Sequence, residues 1–276
     1  MTDLCKTPTY LAPVLRVLCL GDIVGRPGRM ALQSQQARLK SDYQHDFLLV
    51  NGENAAGGLG ISAATAEELH NYGVDAITLG DHTWKQKDAA SLLNRFEYCL
   101  RPANYPNPAP GRGWAVFDLE QGIKVGVFNL LGRVFTGALV DCPFRRADEL
   151  LSGPLKDCTV RICDFHAEAS AEKSAMAFYL DGRVSLVVGT HTHVQTADER
   201  ISTKGTAAIT DLGMCGNSAG IIGMEAEASL ARFVTGLPAS YKLAQGAPVL
   251  CGLMCDIDTT SGRALTVKRV RVEAGD

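Results

Sequence analysis

Six short apolar runs spaced along the first two thirds of the chain limit its fold more tightly than any other feature. They are LRVLCL (15–20), FLLV (47–50), DAITL (75–79), KVGVFNLL (124–131), VRICDF (160–165) and VSLVVGT (184–190). Each has the length of a strand, and several are apolar at nearly every position, as strands covered on both faces are. The stretches between them read as helices. Residues 30–43 set Leu32 and Leu39 two turns apart, and residues 170–180 put Met176, Tyr179 and Leu180 on one face. Strand and helix in alternation predict βαβ units and a mainly parallel sheet. After Gly205 the runs shorten and carry turn signals such as Ser261-Gly262, which predicts a second, more antiparallel sheet facing the first, with helices outside.

A length of 276 residues suits one large α/β domain, and no repeat or linker divides it. Residues 15–276 are expected to form that domain, with 1–14 as an N-terminal extension. A net charge of −3 and a pI near 6.1 give no general attraction for polyanions, so duplex nucleic acid is not an expected partner. No run is long enough to span a bilayer, and the apolar N-terminal part is broken by Pro13 and Arg16, so the expectation is no membrane and a cytoplasmic location. The nine cysteines include no C-x-x-C pair and read as small buried hydrophobes in a reducing compartment.

In open α/β sheets ligands bind beyond the carboxyl ends of the strands. The residues that follow each run are accordingly the candidates: Asp22, then Glu53 and Asn54 in NGEN, then Asp81-His82, then His166, then His191 and His193 in THTH. Four of the six histidines fall at strand ends, while His45 and His70 read as helix end or surface. Singly, each has an ordinary structural explanation as a cap or turn residue. Together, carboxylates, an amide and imidazoles at one sheet edge are what a dinuclear Fe, Mn or Zn site requires. Glu53 is the natural bridge, with Asp22, Asn54 and His193 around one ion and Asp81, His166 and His191 around the other. The glycine-rich GDIVGRPG matches neither a dinucleotide fingerprint nor a P-loop, and Arg26 and Arg29 beside it are expected to be solvated.

The blocks GDIVGRPGR, NGENAAGGLGIS, GDHTW, RPANYP, DFHAEASAEK, GTHTHVQTAD and DLGMCGN resemble the bacterial calcineurin-like metallophosphoesterases of the YmdB type, reported as cyclic-nucleotide phosphodiesterases. The resemblance runs from about Leu15 to near the C-terminus. It implies an α/β, four-layer αββα sandwich with a di-iron centre, manganese or zinc being the other candidates. It further implies Asp22, Glu53, Asn54, Asp81, His166, His191 and His193 as ligands, and His82 as proton donor to the leaving alkoxide. Its substrates would be 2′,3′-cyclic and also 3′,5′-cyclic nucleotides, attacked by metal hydroxide, and homo-oligomers would fit. One ligand departs from the pattern: the family usually has asparagine where Asp81 stands.

Two other readings compete. Amidohydrolases also use H-x-H, but after the first strand, whereas here an aspartate opens the series and H-x-H closes it. A metal-binding regulatory or scaffold protein with an impaired site is the non-enzymatic alternative, for which Asp81 is the only hint.

Overall fold

The computed structural model describes residues 13–274. The chain runs through β1 (Val14–Ile23), α1 (Gly25–Tyr43), β2 (Phe47–Asn51), α2 (Ala63–Asn71), β3 (Ala76–Thr78), α3 (Ala89–Arg95) and β4 (Cys99–Leu100). It continues through β5 (Trp114–Asp118), β6 (Lys124–Leu131), α4 (Pro143–Ser152), β7 (Val160–His166), α5 (Ser170–Tyr179) and β8 (Leu186–Thr190). The last part adds β9 (Arg200–Ile201), β10 (Ala207–Ile209), β11 (Met214–Asn217), α6 (Ala226–Thr235), β12 (Pro248–Asp258) and β13 (Ala264–Glu273). All six runs read from the sequence contain strands, and β1 opens at Val14. The expected N-terminal extension lies outside the described residues up to residue 12.

Two sheets form. One has seven strands in the order β13-β12-β11-β1-β2-β3-β4, the other six in the order β5-β6-β7-β8-β10-β9. Alternation along each strand explains why they stack. In β1, Val17 and Cys19 enter a core shared with Val125, Val127, Ile162 and Val188 of the second sheet. Leu18 and Leu20 point the other way, into a core with Leu32 and Leu39 of α1 and Leu69 of α2. In the second sheet Phe128 and Phe165 turn outward onto Ala147 and Leu150 of α4 and Met176 of α5. Three cores between four layers make the αββα sandwich.

The late strands depart from the expected layout. They do not make a sheet of their own: β10 joins the second sheet parallel to β8, while β11, β12 and β13 extend the first. The long β12 pairs antiparallel with β1 from Val14↔Asp258 to Leu20↔Gly252, so the end of the chain closes the edge that β1 would otherwise expose. Two residues also differ from their expected settings. Tyr179 is not a core residue but lies at the rim, its hydroxyl donating to Asp148 at 2.6 Å. His45 follows the end of α1, as one of the two expected settings had it, but is buried there. The eight described cysteines are free and all but Cys142 are buried. Among the described residues no helix is long and apolar enough to cross a membrane.

Candidate metal centre

Parallel strands deliver their carboxyl ends to a common edge, and both sheets contribute to it. Asp22 lies at the end of β1, Glu53 and Asn54 follow β2, Asp81 and His82 follow β3, His166 ends β7, and His191 and His193 follow β8. The structure brings all eight together. Glu53 Oε1 lies 3.1 Å from His166 Nε2, and Asp81 Oδ1 lies 3.3 Å from the same nitrogen. His191 Nδ1 is 2.9 Å from His166 Nε2 and 3.6 Å from Asp81 Oδ1. Donor atoms of Glu53, Asp81, His166 and His191 all fall within 4.8 Å of one another. Beside them, His193 Nε2 lies 4.0 Å from Asp22 Oδ1 and 3.0 Å from the Asn54 amide nitrogen.

The backbone is shaped for this crowding. A Cβ on Gly80 would sit 2.1 Å from Glu53 Oε2 and 2.4 Å from His166 Nε2, so only glycine lets β3 exit past the cluster. His191 and His193 hold φ of 105° and 65°, conformations that non-glycine residues adopt at a cost and that cluster at functional sites.

Burial pushes the Asp22 carboxyl up to about 6. Burial would also raise Glu53, but His166 and His82 hold it well below the usual carboxylate range. Asp81 is lowered in the same manner, burial being outweighed chiefly by His166. His166 answers them: burial disfavours its charge, yet Glu53, Asp81 and Asp22 lift it well above an ordinary histidine. Such a site calls for positive charge. Asp22 Oδ1 and Asp81 Oδ1 are buried without a hydrogen-bond partner, a costly state for a carboxylate that a cation relieves. Donor separations of 2.9–3.6 Å are the edges expected around one ion with ligands at about 2.0–2.2 Å. Oxygen and imidazole donors without thiolate suit a transition-metal ion of the Fe, Mn or Zn kind.

His82 occupies a different place. Its Nδ1 lies 2.9 Å from the Asn54 amide oxygen and 3.3 Å from Glu53 Oε1, and the ring lines the cavity over the cluster. Burial opposes its charge, but Glu53 outweighs burial and raises its pKa. Its ring is thus held at the cavity surface by Asn54 and Glu53.

Several supporting residues were not singled out in the sequence. His166 Nδ1 contacts Thr190 Oγ1 at 2.9 Å, and that hydroxyl donates to buried Asp164 at 2.8 Å. Asn51 and Thr78 donate to the same aspartate. His191 Nε2 lies 3.0 Å from Glu168, and His193 Nδ1 lies 3.0 Å from the Ile222 carbonyl. Partners on the far nitrogen fix ring orientation in metal-binding histidines. A signal existed for Asp164, an acid inside the apolar run VRICDF; Glu168, two residues past His166, carried none. Of the two arginines near the glycine-rich turn, Arg26 is exposed as expected, while Arg29 is largely buried rather than solvated, pairs with Glu68 at 2.9 Å and does not line the cavity over the cluster.

A cavity of about 560 Å³ opens over the cluster. His82, His191 and His193 line it together with Ile222, Met224 and residues of α6.

Comparison with known proteins identifies the chain's relatives. A family model described as YmdB-like protein matches residues 18–270. A 2′,3′-cyclic-nucleotide 2′-phosphodiesterase of Bacillus subtilis (strain 168) is 44% identical over 258 residues, covering 94% of this chain and 97% of the relative. A putative phosphatase/phosphodiesterase of Mycoplasma pneumoniae is 36% identical over 269 residues, 95% of this chain and 94% of the relative. Among solved structures, a novel phosphatase from Mycoplasma pneumoniae superposes with a TM-score of 0.89 at 36% identity, covering 95% of each chain. A hypothetical protein from Thermus thermophilus gives 0.88 at 37% identity, covering 94% of this chain and 99% of that one.

Proposed function

The chain belongs to the YmdB-like family, and from that premise we propose that it is a phosphodiesterase with two transition-metal ions that opens 2′,3′-cyclic nucleotides and also accepts 3′,5′-cyclic nucleotides. The observation that carries this is the cluster itself: Asp22, Glu53 and Asp81 converge with His166, His191 and His193, and two carboxylate oxygens there are buried without hydrogen-bond partners. Asp22, Asn54 and His193 would hold one ion, Asp81, His166 and His191 the other, and Glu53 would bridge them. Iron is the first expectation, manganese or zinc the alternatives. Bound there, the ions supply Lewis acidity to the phosphoryl oxygens and bring the pKa of a water toward neutrality.

The protein's own groups do the rest. Water adds to phosphorus, the P–O2′ bond breaks, and the departing oxygen takes a proton, leaving a 3′-phosphomonoester and a free 2′-hydroxyl. His82 is the group placed to give that proton, since it lines the cavity and its Nδ1 is fixed by Asn54 and Glu53. Asp164 and Thr190 hold the His166 ring, and Glu168 holds His191.

Metal analysis of protein purified without chelator is expected to find about two ions per chain. His191→Ala should lose metal and activity together. His82→Ala should keep its metal while turnover of bis(p-nitrophenyl) phosphate falls by about 10²–10⁴. A stoichiometry near one would overturn the dinuclear centre, and an emptied site in His82→Ala would overturn its role as acid. A metal-loaded wild type that turns over no phosphodiester would return the chain to the scaffold alternative.

A further inference from the structure

The cavity has a wall that bond cleavage alone does not require. α6 carries Ser229, Arg232 and Phe233 at positions i, i+3 and i+4, which share one helix face, and all three line the cavity. Only Ser229 of this helix is buried, and Phe233 remains 77% exposed. Tyr241 lines the cavity as well. Arg232 Nη1 donates to its hydroxyl at 2.9 Å, and the guanidinium lies 5.8 Å from its ring centroid. Two aromatic rings and a planar cation therefore stand in the same cavity as the metal ligands. Among the described residues that line the cavity, Arg232 is the only lysine or arginine.

We propose that this wall is the nucleoside subsite: Phe233 and Tyr241 stack on the base, Arg232 meets its polar edge, and together they set the preference for nucleotides over smaller phosphodiesters. The proposal rests on the phosphodiesterase reading of the metal cluster. Three observations favour this occupant. The cavity's volume of about 560 Å³ exceeds what a phosphate group needs and falls in the range that takes a ligand of nucleotide size. The wall is tied to the reacting centre, because Ile222, which lines the cavity, holds His193 through its carbonyl. Phe233 is also a large ring left in solvent at a cavity mouth, where exposed apolar surface marks a binding site. A base offers what these groups recognise, a π face for the rings and acceptors for the guanidinium. The other aromatic pair near the cluster, Trp84 and Tyr105, packs edge to face at 5.5 Å and is not among the cavity lining.

The test compares 2′,3′-cyclic AMP with glycerol 1,2-cyclic phosphate, which has the same five-membered phosphodiester ring and no base. Metal-loaded wild type, Phe233→Ala and Trp84→Ala are measured with both. Phe233→Ala is expected to lose about tenfold of the wild-type preference for the nucleotide, through KM rather than kcat. Binding of 1,N6-ethenoadenosine 3′-phosphate, followed by fluorescence anisotropy, should weaken by a similar factor. An unchanged preference in Phe233→Ala, or a loss in Trp84→Ala instead, overturns the subsite while leaving the phosphodiesterase standing. A wild type that hydrolyses neither cyclic phosphate overturns the phosphodiesterase reading, and the subsite with it.

Discussion

Asp81 adds a third carboxylate to a cluster that already holds Asp22 and Glu53, at a position where the resemblance to the metallophosphoesterases implies a neutral amide. In the proposed metal site the added charge would strengthen the hold on a cation and weaken that cation as a Lewis acid, because the carboxylate offsets part of its charge. Asp81→Asn is accordingly expected to stay active and to lose its metal more readily, by roughly tenfold in the chelator concentration that strips it. Superimposable stripping curves for the two proteins would show that the carboxylate coordinates no more strongly than the amide. At this scale the residues that gather in the cluster were legible in the sequence because each follows an apolar run, and strand ends are where sheets present polar groups. Thr190 and Glu168 were not, since a hydroxyl or an exposed acid that supports a histidine is indistinguishable along the chain from any other; Asp164 stood out only as an acid inside an apolar run.

α5 and the turn after β8 show how an element is locked onto the site. Lys173 of α5 donates to Asp211 at 2.7 Å, both almost fully buried, and the same carboxylate accepts from the backbone nitrogen and hydroxyl of Thr192. The H-x-H turn thus hangs on a buried ion pair. Removing one partner strands the other, so Lys173→Met should cost about 3–5 kcal/mol in equilibrium denaturation. A loss below about 1 kcal/mol would mean that solvent reaches Asp211 once the lysine is gone. The corner between α1 and β2 has a different dependence. Burial, reinforced by Lys40, lowers the pKa of His45, and its Nδ1 has no hydrogen-bond partner. The folded protein keeps this ring neutral while the unfolded chain protonates it, so stability falls as pH drops below about 6.5 toward the folded value. His45→Gln should therefore gain Tm relative to wild type between pH 7 and pH 5, and a constant difference over that range would remove His45 from the pH dependence.

The whole molecule is held by the core between its sheets, where Phe47 of β2 meets Phe117 of β5 edge to face at 5.2 Å. Because both sheets bury side chains in that core, they are expected to unfold together. Phe47→Ala should cost about 3–5 kcal/mol and leave one transition, coincident by fluorescence and by circular dichroism. Two separated transitions would show that the sheets are independent units. What the sequence by itself determined is the α/β class, the two-faced burial of strands such as VRICDF, and the chemistry at their ends. Each is a local property: periodicity reports which faces meet apolar neighbours, and a residue after a strand sits at the sheet edge whichever strands lie beside it. Only the tertiary structure decided which neighbours those are. β10 and β11 are separated by a single turn yet enter different sheets, and β12 chooses β1 from the other end of the chain. Such pairings depend on which surfaces remain to be covered once the rest has packed. The same holds for the cavity wall: α6 falls where the sequence suggested only short strands, and its placement alone brings Arg232 and Phe233 into one cavity with His82 and His193.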